Sequence, residues 1–307
     1  MRISRAIALP TALALSCLTF AGTATAATAQ APTTHTATAQ AGLEHGLGLD
    51  LNALRNHPHT LRNGTAGDAA DLTDIAPFAN FGDVPASADL TQYALTPGDQ
   101  GKVGSCVTWA TGYSGYGILM NEQGISGAPM APMYIYSQIA KGNDQGTTAA
   151  VALPMEQDQG IDTQSHYWQG TTDYTTQPDD DERANAANYK LSGFTELATS
   201  GANAKTAIKN AISQGMPVPI GFKVHKSFNS LNAQTASNYS YLPGDAASDP
   251  VEGGHEVTIV AYNDQGVKIE NSWGTNWGDH GYFTVPWSFF DTGDVQEAHA
   301  MGKLIQS

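Results

Sequence analysis

The sequence predicts an α+β protein with two lobes, a helical N-terminal lobe and a C-terminal lobe built on an antiparallel sheet or barrel. Apolar residues recur at helical spacing in four segments of the first two thirds of the chain: 105–121, 132–140, 149–158 and 203–213. From residue 218 the pattern changes to period two or to short apolar runs, which is typical of strands: 218–224, 255–262, 267–271, 281–285 and 302–305. Helices followed by strands favour an α+β class, and such lobes commonly place a site in the cleft between them.

Glycine and proline mark the ends of the predicted helices. Gly124 follows the first helix and is expected to stop it, and Pro132 opens the second at a first-turn position. Pro154 is expected to interrupt or end the third helix, because proline lacks the N–H that the helix interior requires.

Residues 1–26 have the pattern of a secretory signal peptide. Arg2 and Arg5 precede an apolar run over 6–20, and the small residues Ala-Thr-Ala at 24–26 suit a cleavage site. The apolar run is short for a membrane span and no later segment approaches the needed length. We therefore expect a soluble, secreted protein, extracellular or periplasmic, with no membrane contact after signal cleavage.

The segment 27–80 is predicted to be a pro-segment or flexible arm, and 81–307 the folded domain. The arm is rich in Ala, Thr, Gln, Gly and Asn and poor in aromatic residues, which favours disorder over a packed core. A brief helix fits residues 46–54. His57 and His59 are interpreted as polar residues of the arm rather than as metal ligands.

The charge of the chain excludes some classes of partner. With 14 basic and 29 acidic residues the formal net charge is −15, and no basic stripe is present. Nucleic acid and anionic membrane surfaces are therefore poor partners, and a monomer is expected. The acidic run at 179–182 is interpreted as a solvated loop rather than a calcium site.

The cysteine count singles out one thiol. Removal of the signal peptide takes Cys17 and leaves Cys106 alone, so no intramolecular disulfide is possible in the mature chain. A lone thiol is unusual in an exported protein and indicates a reactive group, although a buried structural cysteine is the alternative.

Cys106 follows a polar glycine-rich loop at the predicted start of a helix. The free N–H groups and positive dipole end at such a position favour thiolate over thiol. The same N–H groups can bind a developing oxyanion, and the Gln100 side chain, six residues earlier, can fold back as a second donor.

A thiolate nucleophile needs a base, and the base needs an orienting partner. His255 opens an apolar strand after Gly253 and Gly254, where we expect an exposed imidazole. Asn271 ends the next strand, where its amide oxygen can hold the imidazole N–H, and Trp273 can shield that bond from water.

Together these segments resemble the papain-like cysteine peptidase family. The cysteine loop 100–106, the histidine strand 254–257 and above all the stretch 271–278, Asn-Ser-Trp-Gly-Thr-Asn-Trp-Gly, follow the family pattern. His255 and Asn271 lie 149 and 165 residues after Cys106, against roughly 130–150 in papain and cathepsin types. The resemblance covers about residues 84–285.

The resemblance implies a papain-like two-lobe fold with Cys106 as nucleophile, His255 as general acid and base, Asn271 as its orienter and Gln100 in the oxyanion hole. Two positions depart from the family. Val103 stands where a disulfide cysteine is usual, and Val107 stands where a tryptophan usually follows the nucleophile, with Trp109 as the nearest aromatic replacement.

The resemblance also implies a substrate-binding cleft. Its glycine-rich wall is expected near Gly146, and the strand at 217–222 is expected to line the main specificity pocket, with Gly221 where a larger side chain would narrow it. Gly254 and Trp273 complete the predicted substrate-binding residues.

The expected function is that of a secreted cysteine endopeptidase that acts on proteins or peptides, without metal or other cofactor. An exopeptidase, an amidase or an acyl transferase with the same residues is the alternative, and a catalytically inactive binding homologue is a third possibility. The arm 27–80 occupies the place of an inhibitory propeptide, so it either blocks the cleft or serves only as a linker.

Overall fold

A computed structural model describes residues 45–56 and 84–305. All of them belong to one compact unit, 39–307. The predicted signal peptide, most of the predicted arm, and His57 and His59 lie outside the described residues.

The helices lie mainly in the first half of the described chain. The α-helices are α1 (Leu51–Asn56), α2 (Cys106–Thr108), α3 (Tyr116–Gln123), α4 (Pro132–Ala140), α5 (Ala149–Gln159), α6 (Asp180–Ala186) and α7 (Gly201–Ser213). A π-helical segment, Trp109–Gly115, joins α2 to α3, and short 3-10 turns occupy Thr91–Tyr93, Lys226–Ser230 and Trp287–Asp291. Across 45–56 and 84–305, every helix falls short of the apolar length that a membrane crossing requires.

The strands form one antiparallel sheet. They are β1 (Ala88–Asp89), β2 (Phe194–Glu196), β3 (Val218–His225), β4 (Val251–Tyr262), β5 (Gly266–Glu270), β6 (Tyr282–Pro286) and β7 (Val295–Met301). Their order is β2-β7-β3-β4-β5-β6, with β1 paired to β4. Since the described order has two ends, the sheet is open and the barrel alternative is wrong.

Two hydrophobic cores correspond to the two predicted lobes. One is built on the sheet and includes a group of aromatic rings around Phe222, Phe228 and Phe283. The other packs α2 to α5 and includes Cys106 and Tyr116. The α+β class with two lobes is therefore confirmed.

Buried hydrogen bonds join the two lobes behind the site. The Thr258 hydroxyl on β4 donates to the Ala110 carbonyl at 2.8 Å, and the Ser114 hydroxyl donates to Glu270 at 2.7 Å. Both Ala110 and Ser114 lie in the π-helical segment, a helix type that is frequent at functional sites. The helix that begins at Cys106 is thereby attached to the strands that carry His255 and lead to Asn271.

Most predicted elements are present, with informative differences. Helix α4 has the predicted bounds, Gly124 ends α3 with φ +68°, and Pro154 lies inside α5 without interrupting it. The predicted strand at 302–305 is wrong, because the last strand is β7. The predicted acidic loop at 179–182 is also wrong: Asp179 and Glu182 form a reciprocal capping box at the start of α6.

Candidate active site

Cys106 begins α2 and is completely buried. Its sulfur accepts a hydrogen bond from the backbone N–H of Glu256 at 3.4 Å. Glu256 follows His255 on β4, so the sulfur contacts the backbone of the residue next to the predicted base. Because the helix begins at Cys106, its backbone N–H has no acceptor within the helix.

His255 and Asn271 are directly hydrogen-bonded, as predicted. His255 Nε2 donates to Asn271 Oδ1 at 2.7 Å, and the same oxygen accepts the Ser272 backbone N–H at 2.8 Å. This arrangement leaves Nδ1 as the basic nitrogen of the ring, and Nδ1 has no hydrogen-bond partner within the described part of the chain. The imidazole is fully buried in the interior of β4, so the prediction of an exposed ring at a strand start is wrong.

Trp273 covers the histidine, as predicted. Its ring lies 4.7 Å from that of His255, and Phe228 packs against its edge at 5.2 Å. On another side Trp273 stacks with His45 at 4.9 Å and an interplanar angle of 10°. The hydrogen bond between His255 and Asn271 therefore lies in an apolar, water-poor environment that strengthens it.

Gln100 is buried and held at both ends of its amide. Its Oε1 accepts the Ser272 hydroxyl at 2.6 Å, and its Nε2 donates to the carbonyls of Val103 and Gly46 at 2.9 and 3.1 Å. The predicted oxyanion donor thus already donates to a peptide carbonyl. Ser272 lies within the family motif but was not assigned a role from the sequence.

An acidic side chain holds the cysteine loop where the family usually has a disulfide. Both oxygens of Asp144 accept the Gly104 N–H, at 3.0 and 3.2 Å. The Tyr136 hydroxyl donates to Asp144 at 2.5 Å and accepts the Gly146 N–H at 3.0 Å. Val103, in place of the disulfide cysteine, is buried in the helical core. The loop is therefore fixed by hydrogen bonds and packing.

Residues 45–50, here called the docked segment, lie in the predicted substrate cleft. The Gly46 N–H donates to Gly101 O at 2.7 Å. The Gly46 carbonyl accepts from Gln100 Nε2 at 3.1 Å and from Trp273 Nε1 at 3.3 Å. The Gly46 carbonyl thus accepts a hydrogen bond from the side chain that is predicted to bind the oxyanion.

The other end of the docked segment pairs with the predicted cleft walls. The N–H groups of Gly48 and Leu49 both donate to Gly254 O, at 3.2 and 3.1 Å. Thr147 N–H donates to Gly48 O at 2.8 Å and Asp50 N–H to Thr147 O at 2.9 Å, in a parallel bridge. These contacts place Gly254 and the residue after Gly146 along the path of a bound peptide backbone.

Three glycines allow this close approach. A Cβ on Gly46 would lie 2.3 Å from Val103 O, and one on Gly48 would lie 2.1 Å from Gly104 O. A Cβ on Gly146, which has φ +78°, would lie 2.2 Å from Gly48 O. Any side chain at these positions would force the docked segment away from the walls.

Burial determines the protonation of the two reactive groups. It raises the pKa of the Cys106 thiol far above its ordinary value, helped by the charge of Glu256 and opposed by the N–H groups of Glu256 and Val107. It lowers the pKa of His255 to about 4, against the raising effect of the Asn271 hydrogen bond. Both shifts favour the neutral thiol and the neutral imidazole while the docked segment is present. Burial therefore acts against the predicted thiolate and opposes the effect of the helix N-terminus.

The remaining predicted substrate residue, Gly221, lies on β3 beneath the docked segment. A Cβ there would lie 2.8 Å from Leu49 Cδ2, so the absent side chain leaves room for Leu49.

As for metals, the residues 45–56 and 84–305 contain no grouping of His, Cys, Asp or Glu side chains suited to hold an ion.

Comparison with known proteins defines the class. The profile described as "Papain family cysteine protease" matches residues 84–296, which include every site residue predicted from the sequence and leave out the docked segment. The match defines the class, that of the cysteine proteases. The chain belongs to the papain family.

Individual relatives and solved structures agree with this assignment. An uncharacterized peptidase C1-like protein of Acanthamoeba polyphaga mimivirus is 26% identical over 64% of this chain and 66% of its own. The thiol protease aleurain of Arabidopsis thaliana is 28% identical over 61% of this chain and 51% of its own. The chain thus matches from half to two thirds of these relatives' lengths.

The fold is shared with solved cysteine proteases. Xylellain from Xylella fastidiosa superposes with a TM-score of 0.60 at 24% identity, covering 73% of this chain and 88% of that one. Digestive procathepsin L 3 of Tenebrio molitor larval midgut gives 0.54 at 20% identity, covering 72% and 71%. The papain-like fold predicted from the sequence is confirmed.

Proposed function

We propose that the chain is a secreted cysteine endopeptidase that hydrolyses peptide bonds through Cys106, His255 and Asn271. The observation that carries this proposal is the 2.7 Å hydrogen bond from His255 to Asn271, next to the β4 residue whose N–H contacts the Cys106 sulfur. Membership of the papain family supports the same reaction class.

In the proposed reaction His255 Nδ1 takes the thiol proton as the Cys106 sulfur bonds to the scissile carbonyl carbon. The negative oxygen accepts hydrogen bonds from Gln100 Nε2 and from the Cys106 backbone N–H. The protonated imidazole gives its proton to the amine as the C–N bond breaks, which leaves a thioester. Water, deprotonated by His255, then attacks the thioester and releases the acid and the thiol.

The docked segment is the inhibitory part of a pro-segment within residues 27–80. It occupies Gln100 and the walls at Gly254 and Thr147, which a substrate backbone would need. While this segment is in place, the thiol and the imidazole are buried, and burial favours the neutral form of both. Its removal is therefore expected to open the cleft, expose the thiol to water and allow the pair to ionise.

Export rests on the signal pattern at residues 1–26. Sequencing the N-terminus of the protein recovered outside the cytoplasm tests it. A start at residue 27 is expected on export, and a start further on, within 27–80, if the pro-segment has also been removed. An uncut chain retained in the cytoplasm contradicts export.

The reaction is tested with two substrates in the presence of reductant, a denatured protein and a panel of dipeptide reporters. Three forms are compared: the full chain, a trimmed chain that begins at residue 81, and the Cys106→Ala variant of the trimmed chain. We expect internal cuts by the trimmed protein, slower cutting by the full chain and none by the variant. Removal of terminal residues alone indicates an exopeptidase, and transfer to an added amine indicates an acyl transferase. No turnover by a folded, trimmed sample contradicts the enzyme and favours a binding role.

A further inference from the structure

A buried phenol connects two parts of the site that are distant in the sequence. Tyr136 lies on α4 and is completely buried. Its hydroxyl donates to Asp144 Oδ1 at 2.5 Å and accepts the Gly146 N–H at 3.0 Å. Asp144 in turn accepts the Gly104 N–H with both oxygens. An unbroken row of hydrogen bonds, here called the phenol row, therefore runs from Gly146 through Tyr136 and Asp144 to Gly104.

Each end of the phenol row lies beside a group that the proposed reaction uses. Gly104 is two residues before Cys106, in the loop that leads to the nucleophile. Gly146 precedes Thr147, whose N–H and carbonyl both pair with the backbone of the docked segment, at 2.8 and 2.9 Å. Thr147 is thus the part of the cleft wall that holds the backbone of a bound chain.

The direction of the hydrogen bonds at Tyr136 is fixed by its two neighbours. The Gly146 N–H can only donate, so the phenol oxygen accepts there and its own proton goes to the carboxyl group of Asp144. Burial, and after it the hydrogen bond and the charge of Asp144, raise the pKa of Tyr136, so the proton stays on the phenol. One hydroxyl therefore holds the wall and the carboxyl group at the same time.

The phenol row lies directly against the cysteine loop. A Cβ on Gly104 would lie 2.9 Å from Asp144 Oδ1 and 3.4 Å from Tyr136 Oη, so the position of the loop backbone follows that of these two groups. Tyr134 lies on the same helix and is equally buried, but its hydroxyl has no hydrogen-bond partner within residues 45–56 and 84–305. The two phenols of α4 therefore differ in what their hydroxyls hold.

We propose that Tyr136 is a positioning residue of the peptidase, whose hydroxyl holds the cysteine loop and the wall at Thr147 in one fixed register. This rests on the proposed peptidase function and adds how a bound peptide is aligned with the Cys106 sulfur. A peptide backbone that pairs with Thr147 then presents its carbonyl carbon to the sulfur in the geometry of attack, and such alignment accounts for a large part of the rate. Without the hydroxyl the wall still binds, but its register with the sulfur is lost.

The first test compares Tyr136→Phe with Tyr134→Phe in enzyme activated from the full chain. Peptide reporters are lengthened one residue at a time on the acyl side of the cleaved bond. In the parent we expect one added residue, the one that pairs with Thr147, to raise kcat by about tenfold or more. Tyr136→Phe should lose most of this gain with little change in KM, whereas Tyr134→Phe should keep it.

Because the gain is a ratio within one preparation, a smaller fraction of folded enzyme does not alter it. An equal gain in Tyr136→Phe and in the parent, or no gain with length in the parent, contradicts the positioning role and leaves the peptidase function intact. Absence of all cleavage contradicts the function instead, and a second measurement then decides the role of Tyr136.

That second measurement needs no activity. In the full chain with Cys106→Ala, amide exchange is followed at Gly104 and Thr147, whose N–H groups donate to other acceptors than Tyr136. We expect Tyr136→Phe to quicken both by about five- to tenfold, the effect of one ordinary hydrogen bond, relative to the amides of β5, which report general unfolding. The control variant should quicken neither. Quickening confined to Gly146, whose acceptor is removed, contradicts the proposal.

Discussion

Replacement of Gly48 by alanine should open the cleft of the full chain. The new Cβ would stand 2.1 Å from Gly104 O and 2.3 Å from the Gly104 carbonyl carbon, where ordinary contact begins near 3.4 Å. Both neighbours are backbone atoms of the loop that leads to Cys106, so they do not move aside as a flexible side chain would. The docked segment must therefore shift by more than 1 Å at this point.

Such a shift breaks the hydrogen bonds on either side of Gly48. Four of them join residues 48–50 to Gly254 and Thr147, at 2.8 to 3.2 Å. A neutral hydrogen bond of this kind contributes about 1 kcal/mol net, so the loss of two to four weakens docking by roughly 2–4 kcal/mol. With tenfold for each 1.4 kcal/mol, the docked state becomes about 30- to 1,000-fold less favoured.

The assay is amide hydrogen exchange in full chains that carry Cys106→Ala and so stay uncut. The Thr147 N–H reports docking from the enzyme side, because its acceptor is Gly48 O. We expect the Thr147 amide to exchange about 30- to 1,000-fold faster in the Gly48→Ala chain. The Gly48→Ala chain that retains Cys106 should cut peptide reporters without a lag. Asn56→Ala, at the exposed end of α1, is the matched control and should change neither. Unchanged protection at Thr147 in Gly48→Ala would refute the inhibitory role of the docked segment.

Three further predictions address the site and the cores. Gln100→Ala should lower kcat by about 100-fold or more with little change in KM, because Nε2 is expected to bind the oxyanion only in the transition state. Asp144→Ala leaves the Gly104 N–H without its acceptor and should lower the free energy of unfolding by about 1–3 kcal/mol, whereas exposed Asp158→Ala should not. Burial raises the pKa of Glu156 to about 8 from an ordinary 4.5. The Glu156 carboxyl loses its proton at a lower pH in the unfolded chain than in the folded one. The protonated carboxyl therefore contributes fully to stability below pH 4.5, and this contribution is lost as the pH rises through 8. Glu156→Gln should accordingly flatten the fall in unfolding free energy between about pH 5 and 8.

The contrary outcomes are equally specific. A raised KM with unchanged kcat in Gln100→Ala would assign that side chain to ground-state binding. Equal losses of unfolding free energy in Asp144→Ala and Asp158→Ala would show that the hydrogen bonds to Asp144 do not stabilise the cysteine loop. A pH dependence identical in Glu156→Gln and in the parent would show that this carboxyl does not retain its proton in the fold.

The residues proposed for the site could be named from the sequence because each lies in a local motif whose neighbours determine its position. Gln100, Cys106, His255 and Asn271 lie in such segments, and the structure brings them together. The burial of His255 could not be predicted from the strand pattern, because β4 already begins before Gly253 and Gly254 and places His255 in the strand interior. Glycines usually mark a strand end, and here they allow the docked segment to approach.

Other features were missed because their polar residues are buried. Strand β7 carries Glu297 and His299 among its buried residues, which hides the alternation that predicts a strand. The acidic start of α6 was interpreted as solvated loop, although Asp179 and Glu182 have the spacing of a capping box. The position of the docked segment depends on backbone contacts, and these leave only a sparse trace in the sequence, the glycines at 46 and 48.

The way the cysteine loop is held has a consequence for where and how this protein can work. Reducing agents that keep a catalytic sulfur active weaken most exported proteins, whose crosslinks they open. Here the loop depends on Asp144, Tyr136 and the packing of Val103, and Cys106 is the sole cysteine in 45–56 and 84–305. On the proposed mechanism, oxidation of the Cys106 sulfur would stop the reaction without opening any crosslink within these described residues.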